Sequence, residues 1–233
     1  MTHWHLSSID WLDSLPDAAR QQLHLQTATL DFRDGQTIFA PMPEPDAVFI
    51  LVQGLVRIYR LSSEGMEFTL GYVKPAEVFG ELAAYDSQPR ESFARAIDNC
   101  IVLKVPVLLF RDLMQSLPNL CYSVTKQIQG RFKRIEQRAE DLVFRSVTAR
   151  LAATLLMLME DFGDDRGGHS YIRLHLTQAE VATLVGAARP TINQTFHQFR
   201  TAGLAIFEKG HVVILNPAGL RKIAESPLIP PTN

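Results

Sequence analysis

The sequence predicts an α+β protein built from an N-terminal jelly-roll β-barrel, a long helix and a C-terminal winged helix-turn-helix. Three observations predict it. From residue 27 to about 108, short runs rich in Val, Ile, Phe and Tyr are punctuated by glycines, the texture of a many-stranded barrel or sandwich. Beyond Pro118 no proline interrupts the chain as far as Phe144, and Gly130 is the sole breaker. Finally, Thr177-Gln178-Ala179-Glu180 has the form of a helix-opening capping box, with Gly186 and a second helical pattern after it.

At 233 residues the chain suits two modest domains and a connector. The expected boundaries are 1–117 for the barrel, 118–145 for the long helix and 146–233 for the winged helix. Apolar residues make up 46% and charged residues 21%, which excludes disorder. The start MTHWHLSSIDWLDSL lacks a basic region and a continuous apolar run, and IVLKVPVLLF is broken by Lys104 and Pro106. A soluble cytoplasmic protein with no membrane span is therefore expected. Two cysteines, Cys100 and Cys121, are too few for a disulfide framework, a zinc site or an iron–sulfur site. The net charge of −2 does not by itself point to nucleic acid, and residues 146–233 hold eight Lys or Arg against seven Asp or Glu.

Residues 6–25 read as short helices, with Ser7 and Ser8 as candidate caps and Pro16 starting PDAARQQL. In the barrel region AVFILVQGLVRIYRL and MEFTLGYV read as strands, and PMPEP (41–45) as a loop. In the long helix Cys121, Ile128, Ile135 and Leu142 recur every seven residues, flanked by Val124 and Phe132. That spacing predicts a dimer seam of these six residues, the alternative being one amphipathic helix lying on its own barrel. Arg131, Arg138 and Arg145 fall on the other core position of the heptad. Either they lean out to solvent, or at least one awaits an acidic ligand.

Residues 146–160 form an amphipathic pattern, DFGDDRGGHS (161–170) reads as a loop, and YIRLHL as a short strand. The helix opened by Thr177 and Glu180 buries Val181, Leu184 and Val185. The next, from Arg189 to about Arg200, sets Ile192, Phe196 and Phe199 on one face. Arg189, Asn193, Gln194 and His197 occupy the other. LAIFEKG and HVVIL, joined at Lys209-Gly210, read as a wing hairpin. The second helix would enter a DNA major groove.

LTQAEVATLVGAARPTINQTFHQFRTAGLAIF (176–207) resembles the DNA-binding segment of the CRP/FNR superfamily, and the resemblance extends over the barrel glycines, FGEL (79–82) and the long helix. It implies a homodimeric transcription regulator with a cyclic-nucleotide-binding-like barrel, bound to palindromic double-stranded DNA and working with RNA polymerase. DNA contacts would fall on Thr177, Arg189, Pro190, Thr191, Asn193, Gln194 and His197. Arg189 suits guanine and Gln194 adenine, whereas Pro190 stands where the cyclic-AMP-receptor branch has a glutamate. The family's sensory cassette would span Phe79–Ala96, with an effector touching Phe79, Gly80, Glu81, Leu82, Arg90, Arg131 and Glu136. Glu81 and Arg90 match the ribose and phosphate ligands of that branch. However, Glu91 replaces its phosphate-capping serine, and Ile135-Glu136 replaces its adenine-reading pair.

MLMEDFG and the positions Arg90, Arg131 and Glu136 are more similar to the cyanobacterial nitrogen-control branch. The resemblance thus implies 2-oxoglutarate as a possible effector, ahead of cyclic AMP, and no permanently bound cofactor. The alternative is a bare arginine–glutamate network with constitutive DNA binding. No N-terminal cysteine cluster marks an oxygen sensor, and His3, His5 and His24 are isolated candidates for haem. An enzymatic cupin barrel would need several histidines, and residues 27–110 contain none.

Overall fold

The computed structural model describes residues 15–42, 44–84, 89–166 and 169–226, so Ser7, Ser8, His3 and His5 lie outside the described residues. The chain divides into two compact units, Met1–Lys133 and Arg134–Asn233. The boundary falls inside the long helix, whose two halves belong to different units.

In the first unit, helix α1 (Asp17–Gln26) follows Pro16, as the proline start predicts. Eight strands come next: β1 (Ala28–Phe32), β2 (Thr37–Phe39), β3 (Ala47–Gln53), β4 (Val56–Leu61), β5 (Glu67–Val73), β6 (Val78–Phe79), β7 (Phe93–Ala96) and β8 (Cys100–Pro106). They pair antiparallel into two four-stranded sheets, ordered β1-β8-β3-β6 and β2-β7-β4-β5. A run as apolar as Ala47–Val52 would not suit a strand with one wet face. Here both faces are covered. Ala47, Phe49 and Leu51 point between the sheets, while Val48, Ile50 and Val52 meet a second core. The helices α2 (Val107–Ser116) and α3 (Pro118–Phe144) close that second core with Phe110, Leu113, Leu120 and Val124.

The position of α3 corrects the predicted seam at Val124. Val124 is 0% exposed, and Cys121 and Ile128 pack against the same core. Val124 cannot also fill a hole of a partner helix, whereas Cys121 and Ile128 are only half-buried. Phe132, Ile135 and Leu142 stay exposed, together with Tyr122 and Val143. Val124 and Leu142, five turns apart, share one side of a 3.6-residue helix, and Val124 lies in the core while Leu142 is exposed.

The second unit continues with α4 (Val147–Phe162), capped by Ser146, whose side chain accepts from the Ala149 amide. Strands β9 (Gly163–Arg166) and β10 (His169–Ile172) pair as a hairpin. The expected loop at 161–170 is thus a strand over its central residues, and the expected strand starts two residues early. Gly163–Arg166 has no strand pattern of its own; its partner β10, which also pairs with β12, imposes the conformation. Helices α5 (Gln178–Val185) and α6 (Arg189–Thr201) precede the wing strands β11 (Ala205–Glu208) and β12 (His211–Ile214). Lys209 and Gly210 both have positive φ, as a tight two-residue hairpin requires. Helix α7 (Pro217–Ala224) completes the unit.

Candidate functional site

The helix-turn-helix is assembled from local rules. The Thr177 hydroxyl accepts from the Glu180 amide at 3.1 Å, and the Glu180 carboxylate accepts from the Thr177 amide at 2.7 Å. Thr177 is therefore occupied first as a cap. Gly186 ends α5 in the left-handed region (φ 67°, ψ 47°), and a β-carbon there would lie 2.6 Å from Leu142 Cδ2. Glycine is what lets the chain turn this tightly under Leu142.

Helix α6 then buries Ile192, Phe196 and Phe199. Sequence patterning missed Thr195, which is buried on that face with its hydroxyl donating to the Thr191 carbonyl at 2.8 Å. Arg189, Pro190, Thr191, Asn193, Gln194 and His197 are all exposed. Positions 189, 193 and 197 follow at intervals of four, so they form one stripe with Gln194 beside it. Among the described residues Arg189 makes no ion pair, and Arg200 pairs with Glu208 at 3.1 Å. A solvent-facing row of one guanidinium, two amides and an imidazole can donate and accept along base edges.

The second cluster lies in the first unit. Strand β6 ends at Gly80 (φ 70°), where a β-carbon would come within 3.1 Å of Arg90 Nη2 and 3.2 Å of Phe39 Cε1. The absent side chain leaves room for the Arg90 guanidinium over the Phe39 ring, its carbon 3.9 Å from the centroid. Arg90 Nη2 donates to the Ala47 carbonyl at 2.8 Å and the Gly80 carbonyl at 3.4 Å. Its backbone is held by a two-way bridge to Met42. Burial pushes the Arg90 guanidinium below its usual arginine range, while Asp46 and Glu81 act in the opposite sense. Asp46 is itself matched by Lys104 at 2.7 Å, and that hydrogen bond holds its carboxyl below the usual carboxylate range.

Glu81 opens a 3-10 turn over Glu81–Ala84 and is buried, with its carboxylate 3.2 Å from Arg131 Nη2. Arg131 also donates to the Val78 carbonyl at 2.9 Å. Gln127, which the sequence did not single out, accepts from the Val78 amide at 2.9 Å and donates to the Ala76 carbonyl. One turn of α3 is thus stitched to the edge strand β6.

The arginine row of α3 does not lean out to solvent. Arg138 donates to the Thr183 carbonyl and Arg145 pairs with Asp141, just as Arg131 turns to Glu81.

Four more residues of the expected pocket and its surroundings are placed as follows. Phe79 is fully buried, stacked in a cluster with Phe39 and Phe49 at centroid distances of 5.4–6.0 Å. Strand alternation turns it into the core, where it shapes the shelf under Arg90. Leu82, by contrast, is exposed. Glu91 is held by Arg60 at 2.6 Å on the surface, so its charge is already matched. Glu136 stands five residues beyond Arg131, about 140° around the helix, on the exposed stripe with Phe132.

Among the described residues no group of three or more His, Cys, Asp or Glu is placed to hold a metal ion. Among them too, no helix is long and apolar enough to cross a membrane.

Comparison with known proteins finds two family matches along the chain. The cyclic nucleotide-binding domain family matches residues 29–117, and the Crp-like helix-turn-helix domain family matches residues 149–223. A CRP-like cAMP-activated global transcriptional regulator of Mycobacterium tuberculosis is 32% identical over 199 residues, covering 85% of this chain and 89% of the relative. The global nitrogen regulator of Synechococcus elongatus is 28% identical, covering 81% and 86%. The crystal structure of a CRP/FNR-family transcriptional regulator from Thermus thermophilus superposes with a TM-score of 0.71 at 28% identity, covering 85% of this chain and 99% of that one. These relatives are transcription regulators and not enzymes, and the chain belongs to the CRP/FNR family of DNA-binding transcription regulators.

Proposed function

We propose that this regulator works as a homodimer on a palindromic operator and is controlled by a small anion held by Arg90 and Arg131. The observation that carries the effector reading is the charge around Glu81. Arg131 pairs with the buried Glu81 carboxylate, while Arg90 meets carbonyl oxygens and an aromatic face, so among the described residues the cluster keeps one positive charge in excess. A desolvated excess cation favours an anionic ligand. A singly charged phosphodiester such as cyclic AMP balances the cluster. A dicarboxylate such as 2-oxoglutarate would leave it one negative charge in excess, with Glu81 competing for Arg131. The charge count therefore moves the weight towards a monoanion, while the similarity to both kinds of relative keeps 2-oxoglutarate as the second candidate.

The dimer reading rests on the exposed stripe of Tyr122, Phe132, Ile135 and Val143 along α3. Apolar side chains in such a row are normally covered by a second helix. Glu136 lies on the same stripe, so in the dimer it would belong to the interface. Two recognition helices related by a two-fold axis would read half-sites about one helical turn, ~34 Å, apart.

The test is operator binding by the full chain, on a duplex selected from a random pool, with and without cyclic AMP and 2-oxoglutarate. One of the two should change affinity about 5–150-fold, and Arg131→Ala should abolish the change. If neither anion alters wild-type affinity, constitutive binding replaces this reading.

A further inference from the structure

The turn between α5 and α6 is held by an arginine that neither the DNA contacts nor the effector cluster uses. Arg150, on the first turn of α4, donates to a carbonyl oxygen from each of its three guanidinium nitrogens. Nε donates to Val185 at 3.0 Å, Nη2 to Gly186 at 3.1 Å, and Nη1 to Arg145 at 3.1 Å. Val185 and Gly186 are the last residue and the C-cap of α5. Their carbonyls have no partner within the helix, and they carry the negative end of its dipole. Arg145 is the residue that follows α3. A single planar cation therefore joins the end of the long helix to the turn that aims the recognition helix.

Two neighbours reinforce the joint. Arg138 donates to the Thr183 carbonyl one turn earlier in α5, and Leu142 lies over Gly186. Three residues after Gly186 comes Arg189, the first residue of α6. The geometry points to Arg150 as the positioning residue that fixes the angle of α6 relative to the end of α3, and so sets operator affinity without touching DNA. Lysine cannot replace it: an ammonium carries the same charge but has no fork with which to span three carbonyls.

This inference rests on sequence-specific DNA binding, and the experiment separates the two. Full-length wild type, Arg150→Lys and Arg150→Ala are compared on a duplex selected by the wild type and on a scrambled duplex. Amide hydrogen exchange is followed at Ala187, Ile192 and Val212. For Arg150→Lys we expect affinity for the selected duplex to fall at least about tenfold. Binding to the scrambled duplex should not change. Exchange should quicken at Ala187 and Ile192 and not at Val212 in the wing. A role in stability alone would weaken both duplexes equally and speed exchange throughout the unit.

Arg150→Lys with wild-type affinity for the selected duplex overturns the proposal, as does an equal loss on both duplexes. Unchanged exchange at Ala187 and Ile192 overturns it whatever the DNA result. A wild type that selects no duplex sinks the reading of specific binding and leaves the exchange data to decide the clamp. Should Arg150→Ala fail to fold, the lysine variant carries the test alone.

Discussion

Arg131 Nη2 serves two acceptors at once, the Glu81 carboxylate at 3.2 Å and the Val78 carbonyl at 2.9 Å. The side chains of the pair are 23% and 8% exposed, so water screens the contact only in part. Removing Arg131 strands a buried carboxylate, which for a buried charged acceptor costs about 1–3 kcal/mol or more. Arg131→Ala should accordingly lower the urea midpoint, and adding Glu81→Gln to it should recover part of the loss. Urea unfolding of the four members of that cycle checks this. Additive losses would mean that the two side chains do not interact in solution.

Glu81→Gln alone should change ligand preference. The cluster then carries two positive charges and no carboxylate, which matches a dianion. Calorimetric titration should show 2-oxoglutarate gaining affinity relative to cyclic AMP in Glu81→Gln. The direction follows from charge counting, and the size should be of the order of tenfold, about 1.4 kcal/mol. A variant whose preference shifts towards cyclic AMP would place the anion somewhere other than beside Glu81.

The two sides of α3 should respond differently to charge. Phe132→Asp puts a carboxylate on the exposed stripe, and the expected product is a folded monomer by light scattering with unchanged circular dichroism. Val124→Asp buries a carboxylate in the core formed by Phe110, Leu113 and Leu120. Unfolding or aggregation is the expected outcome. A folded monomer from Val124→Asp would return Val124 to the seam read from the heptad count, and a dimeric Phe132→Asp would remove the exposed stripe from the interface.

What the sequence made legible was mostly local. The Thr177–Glu180 box, the left-handed Gly186 and the Lys209-Gly210 wing turn each depend on a few neighbouring residues, and each is found as read. Val124 was read into the seam because a heptad count does not say which members of a stripe the chain's own core covers. Strand β9 was missed because Gly163–Arg166 becomes a strand only through pairing with β10. The shelf under Arg90 joins Phe39, Phe49 and Phe79, residues separated by whole strands, and no short-range pattern announces it. Likewise, the partner of Arg131 proved to be Glu81, fifty residues earlier in the chain, and not the Glu136 of its own helix.

The DNA-reading stripe allows the sharpest test, because Arg189 is exposed and makes no ion pair among the described residues. A substitution there should leave the fold intact, so any loss is a loss of contact. An arginine forking onto guanine O6 and N7 discriminates by about 1–3 kcal/mol per base pair. Selection with Arg189→Ala should therefore return sites in which one position per half-site has lost its preference for guanine, with the rest unchanged. Gln194→Ala should relax a different position, where the amide fits adenine N6 and N7. A phosphate contact behaves otherwise: it weakens every sequence alike and reduces the salt dependence by roughly one counterion. If Arg189→Ala binds all duplexes uniformly more weakly with its base preferences intact, Arg189 grips the backbone and Asn193, Gln194 and His197 are left to read the sequence.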